Sequence, residues 1–79
     1  MNKLELLRTF VRVTELSSFT QAGERLGLPR STVSEHVQAL EELLGARLLQ
    51  RTTRKVQATQ DGRVLYERSK DLLAHMEEL

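Results

Sequence analysis

Apolar residues recur along this chain in three rhythms, and each rhythm predicts a different element. Over residues 3–16 they return at three- and four-residue steps. Leu7, Val11 and Thr14 form one stripe with Leu6, Phe10 and Val13 beside it, which predicts an amphipathic helix. So wide an inner face suits a helix packed on more than one neighbour. Asn2 with Glu5 three residues later fits a capping arrangement at its start, and Ser18 with Gln21 repeats that logic for a second helix over residues 19–26. Ala22 and Leu26 mark the inner face of that short helix. Gly27 stands where a helix can end in a left-handed turn, and Pro29 where the next can begin. A third helix then runs from Pro29 or Arg30 to Leu44, with Val33, Val37, Leu40 and Leu44 as its inner stripe and Gly45 as its stop.

Beyond Gly45 the rhythm shortens. Residues 47–51 and 55–58 space their apolar side chains as strands do, and they flank Thr52, Thr53 and Arg54; the expected element is a two-stranded hairpin. A last helix follows, capped by Thr59, with Asp61 favourably placed at its positive N-terminus. It continues to the end of the chain. Along it Leu65, Ser69, Leu72, Met76 and Leu79 alternate four and three residues apart, a heptad seam of fewer than three heptads. Tyr66 is expected to pack this helix against the first. Two short helices joined by a tight turn over residues 18–41, the second opening on small polar and basic side chains, have the layout of a helix-turn-helix.

Composition narrows the function. Seventy-nine residues, 39% apolar and 29% charged, make one small globular domain. No cysteine is present, which excludes disulfides and thiolate metal sites and suits a reducing cytosol. No apolar run approaches the roughly 20 residues of a membrane span, and the alternating N-terminus is no secretory signal. The net charge of +1 argues against a nucleic-acid partner until its distribution is considered. Arg47, Arg51, Arg54 and Lys55 lie in a stretch with no acid between Gly45 and Gln60, while acids gather at Glu41, Glu42, Glu77 and Glu78. A local basic patch on a neutral body suffices for phosphate contacts. His36 and His75 have no carboxylate or cysteine at metal-ligand spacing and are expected to be structural or exposed. No nucleophile–base pair, phosphate-cradling loop or pair of acids at useful spacing points to an enzyme, and no cofactor is implied.

The ordered set of Leu7-Arg-Thr-Phe10, Ser18-Phe-Thr-Gln-Ala22, Leu26, Val33-Ser34, Leu40-Glu41, Gly45, Leu48-Leu49, Arg51-Thr52 and Thr59-Gln-Asp-Gly62 resembles the N-terminal DNA-binding domain of LysR-type transcriptional regulators. The resemblance covers nearly the whole chain. It implies a mainly α winged helix-turn-helix over residues 1–58, with three helices and a two-stranded wing, followed by a linker and dimerisation helix over 59–79. It also implies a bacterial, cytoplasmic regulator at the nucleoid that binds double-stranded DNA as a homodimer, often a dimer of dimers in that family. A small-molecule effector would belong to a C-terminal domain that is absent from this chain. Three departures stand out. Gly23 occupies the place of a common second alanine and should weaken its helix by roughly 1 kcal/mol unless close packing needs it. Pro29-Arg30-Ser31 replaces the usual Ser-Gln-Pro approach to the recognition helix, and Glu35 stands where arginine is common.

With the apolar stripe of the third helix turned inward, Ser31, Ser34, Glu35 and Gln38 lie on the opposite face, in the half that reaches base edges, with Thr32 beside them. Serine can donate or accept, Gln38 can pair with adenine, and Glu35 can accept from cytosine or repel phosphate. A solvated polar helix face is the ordinary alternative, outweighed here by the complete motif. Arg30 and Thr20 are candidates for phosphate, Arg30 also for guanine. Arg51, Thr52, Arg54 and Lys55 are the wing candidates for the minor groove. Arg51, at a strand end, has a second expected role in pairing back to the domain, and charge on a hairpin edge also guards against aggregation. Leu65, Leu72, Met76 and Leu79 are the dimerisation candidates. Two other readings remain open: a winged helix used only for protein contacts, and a different winged-helix regulator family with another dimer.

Overall fold

The computed structural model describes residues 2–52 and 55–78. Its elements are α1 Lys3–Leu16, α2 Phe19–Leu26, α3 Arg30–Leu44, β1 Leu49–Arg51, β2 Val56–Ala58 and α4 Gln60–Glu77. The architecture is the expected winged helix-turn-helix with a long last helix. Its boundaries follow from local chemistry. Asn2 Oδ1 accepts from the Glu5 amide at 2.8 Å, Ser18 Oγ from Gln21 at 3.1 Å and Thr59 Oγ1 from Gly62 at 3.0 Å. Each bond satisfies an amide that the first helical turn leaves without a partner. Gly27 closes α2 with φ 71°, a left-handed backbone in which a side chain would be strained, and so turns the chain sharply into α3. At the start of α3 Pro29 is the N-cap and supplies no side-chain bond.

The core gathers Leu6, Phe10, Val11 and Val13 of α1, Phe19 and Ala22 of α2, Val33, Val37 and Leu40 of α3, and Leu48 and Leu49 at the wing base. Helix α1 packs against α2, α3 and α4, which accounts for its wide apolar face. Full burial of one such side chain stabilises by about 1.5–3 kcal/mol, so the set holds α2, α3 and the wing in place. The α3 stripe is shorter than its periodicity suggested. Leu44 is 49% exposed and lies outside the core, because the helix extends one turn past the residues it packs on. His36 takes a buried place on the inner face instead, with Nδ1 2.8 Å from Thr9 Oγ1. Thr9 Oγ1 also donates to the Glu5 carbonyl at 3.0 Å, so the group is satisfied when Nδ1 carries a hydrogen and donates to Thr9.

Gly23 is required by packing. A Cβ there would sit 2.6 Å from the Leu28 carbonyl oxygen and 3.5 Å from Val33 Cγ2. Gly23→Ala is therefore expected to destabilise the domain by about 1–2 kcal/mol from overpacking, despite the roughly 1 kcal/mol gained in helix propensity. Thermal denaturation should show a loss of several degrees, and a rise would contradict the close approach.

Strands β1 and β2 pair antiparallel with Leu49 opposite Ala58 and Arg51 opposite Val56. One face of α4 belongs to the packed body as far as Leu73: Leu65, Tyr66 and Leu73 rest on the core and Ser69 is buried. The Tyr66 hydroxyl donates to Glu15 Oε2 of α1 at 3.4 Å, the contact expected of it. Burial and the Glu15 carboxylate both push the Tyr66 phenol above its ordinary pKa, so it remains a neutral donor. Leu65 of the heptad seam is thus half-buried within its own domain. Leu72 and Met76, 48% and 38% exposed, stand open further along. Leu79 lies outside the described residues.

Candidate nucleic-acid interface

Helix α3 presents a polar face because its apolar positions are spent on the core. Ser31, Glu35 and Gln38 are exposed, and Thr32 and Ser34 are half-buried, opposite the buried Val33, Val37 and Leu40. Arg30 stands exposed in the first turn of α3, and Thr20 in the first turn of α2. The wing continues the same surface. Arg51, Thr52 and Lys55 are exposed at its strand ends. The Thr52 amide donates to the Lys55 carbonyl at 2.9 Å, and the Lys55 amide donates to Thr52 Oγ1 at 3.0 Å. Arg54, the remaining wing candidate, lies outside the described residues.

Thr20, Arg30, Arg51, Thr52 and Lys55, named from three separate stretches of sequence, line one cleft of about 210 Å³ together with Ser17, Ser18, Phe19 and Val56. Three cationic side chains and four hydroxyls thus border a single concavity beside the polar face of α3. That combination suits phosphate, since Arg and Lys supply charge-assisted donors and hydroxyls add neutral ones. Among the described residues no group of His, Asp or Glu could hold a metal ion, and no helix is long and apolar enough to cross a membrane.

Two residues that hold the site together were not singled out from sequence. Phe19, buried at the start of α2, lies under both arginines: the Arg51 guanidinium carbon is 4.2 Å from its ring centroid and that of Arg30 is 5.8 Å. Each is within the range of a cation–π contact. Arg51 Nη2 also donates to Ser34 Oγ at 2.8 Å, so Arg51 does pair back to the body of the domain. Glu41 fixes the wing to α3: its Oε2 accepts from the amides of Leu48 at 2.8 Å and Leu49 at 3.3 Å. Arg47 is 3.9 Å from the same oxygen, with its side chain largely in solvent, so that ion pair contributes little. The signal for Glu41 was an acid directly after the last buried residue of an apolar stripe, shortly before a turn. The signal for Phe19 was an aromatic directly after a helix cap.

Known proteins match this arrangement. The profile of the bacterial regulatory helix-turn-helix protein, lysR family, covers residues 4–63. The chain is 46% identical over all 79 of its residues to the HTH-type transcriptional regulator YhjC of Escherichia coli strain K12, and spans 26% of that protein. It is likewise 46% identical over 79 residues to an HTH-type transcriptional repressor of Pseudomonas aeruginosa, of which it spans 25%. Its length is therefore about a quarter of these curated relatives. Among solved structures, the BenM DNA-binding domain in complex with catB site 1 DNA superposes with a TM-score of 0.93 at 38% identity, covering 98% of this chain and 86% of that one. These proteins are transcriptional regulators rather than enzymes.

Proposed function

This chain belongs to the lysR family of bacterial regulatory helix-turn-helix proteins and is a DNA-binding domain of a transcriptional regulator, and from that membership we propose how it reads its operator. Helix α3 lies in the major groove with Ser31, Thr32, Ser34, Glu35 and Gln38 toward the base edges. The wing, with Lys55 and the sequence candidate Arg54, lies at the adjoining minor groove. Thr20, Arg30, Arg51 and Thr52 contact the backbone between the two. The observation that carries this reading is the gathering of Thr20, Arg30, Arg51, Thr52 and Lys55 around one cleft beside the polar face of α3. Two copies joined through Leu72 and Met76 of α4, with Leu65 and Leu79 at the ends of the seam, would set two recognition helices on the halves of an interrupted palindrome. In the full-length regulator a small-molecule effector acts on a further domain.

Base reading and phosphate holding separate experimentally. Gln38→Ala should cost about 1–3 kcal/mol on the preferred site and almost nothing on unrelated duplex. Lys55→Ala should weaken both about equally and flatten the plot of log affinity against log salt by about one contact's worth. Fluorescence anisotropy on specific and scrambled duplexes measures both. Equal losses for Gln38→Ala on the two duplexes would contradict base reading by α3.

A further inference from the structure

Arg51 is the last residue of β1, yet its side chain reaches two other elements. Its guanidinium lies 4.2 Å over the buried Phe19 ring of α2, and Nη2 donates at 2.8 Å to the hydroxyl of Ser34 on α3, seventeen residues away. Stacking and a directed hydrogen bond together fix the planar guanidinium in one orientation. Ser34 is half-buried on the polar face of the recognition helix and makes no other side-chain bond among the described residues. Thr9 and Thr14 of α1, by contrast, return their hydroxyl hydrogens to the carbonyls four residues back. The hydrogen of Ser34 is therefore uncommitted, while its oxygen is engaged by a cation.

A serine hydroxyl has one hydrogen to give and two lone pairs to receive. Guanidinium has no acceptor capacity, so Ser34 is the acceptor in this pair and its O–H must turn away from Arg51. A second donor approaching the same oxygen would bring another positive hydrogen toward the fixed cation. We propose that Arg51 is a specificity-positioning residue: held by Phe19, it polarises Ser34 into a hydrogen-bond donor, so that Ser34 selects a base presenting an acceptor in the major groove. The inference rests on the reading that α3 faces base edges. Adenine N7, guanine N7 and O6, and thymine O4 satisfy such a donor, whereas the cytosine edge presents its amino group there. Ser34 thus discriminates against cytosine on the strand it contacts, and the discrimination depends on a residue of the wing.

The test is selection of sites from a random duplex pool by the wild-type domain, Ser34→Ala, Arg51→Met and the double variant, with thermal melting of each protein. Methionine keeps a long stem against Phe19 while removing charge and hydrogen bonds. Wild type should disfavour cytosine at one position of each half-site by about three- to tenfold, the scale of one neutral hydrogen bond. Ser34→Ala should lose that discrimination, Arg51→Met should lose it at the same position, and the double variant should resemble either single one there. If Arg51→Met weakens all sites uniformly and keeps the cytosine penalty, Arg51 is a phosphate contact alone and the proposal falls. A wild-type domain that enriches no sequence would instead overturn the DNA reading on which it rests. Should Arg51→Met melt early, Arg51→Leu, which likewise carries no donor and no charge, supplies the same comparison; retention of the penalty there equally refutes the proposal.

Discussion

Gly62→Ala is expected to unfold the domain about 15 °C below the wild type and to abolish specific DNA binding at temperatures where the variant is still folded. The cause is a contact between backbones. A Cβ on Gly62 would collide with the carbonyl oxygen of Leu48 and lie 3.0 Å from its carbonyl carbon. That same oxygen accepts the Thr59 amide at 3.0 Å, while Thr59 Oγ1 donates to the Arg47 carbonyl and accepts from Gly62. The first turn of α4 and the root of the wing are therefore one hydrogen-bonded joint, and no side-chain rotation can relieve the collision. Overpacking of this kind costs up to about 3 kcal/mol or more, and a domain of this size loses roughly 4–8 °C per kcal/mol. Circular dichroism melts check the stability, and binding at low temperature checks the wing. A variant melting within two degrees of wild type would show that α4 and the wing can separate freely.

Leu72→Asp should leave the isolated domain's stability almost unchanged and weaken its self-association at least a hundredfold. Leu72 is 48% exposed, so within one copy the substitution exchanges one solvated side chain for another. In a symmetric dimer joined through α4 the residue enters the interface twice, and each copy would bury a carboxylate against apolar surface. A hundredfold change corresponds to about 2.8 kcal/mol, less than two unpaired buried charges would cost. Sedimentation equilibrium reads the association constant directly. An unchanged constant would place the dimer contact elsewhere on the domain. A marked loss of melting temperature under monomeric conditions would mean that Leu72 supports the fold itself.

What was legible in the sequence and what was not divides along a physical line. Helix ends were readable because caps are local: Asn2, Ser18 and Thr59 each bond an amide three residues away. The polar face of α3 was readable because burying Val33, Val37 and Leu40 leaves it no alternative. The overrun at Leu44 was hidden, since periodicity records the apolar rhythm of a helix but not where its partner ends. His36 offered no sign of burial because its partner Thr9 is twenty-seven residues away. The place of Arg51 on Phe19, and the hold of Glu41 on the wing amides, arise only when separate elements meet. Gly23 was legible as an oddity, and its reason became plain only in the approach of the Leu28 carbonyl.

The measurement that bears most directly on the whole account is selection of binding sites by this domain from random double-stranded DNA, followed by salt titration on the winning sequence. The account predicts a dyad-symmetric, interrupted site whose log affinity falls steeply and linearly with log salt, as several neutralised phosphates on each half-site require. Enrichment of no sequence, with weak binding alike on every duplex, would contradict it.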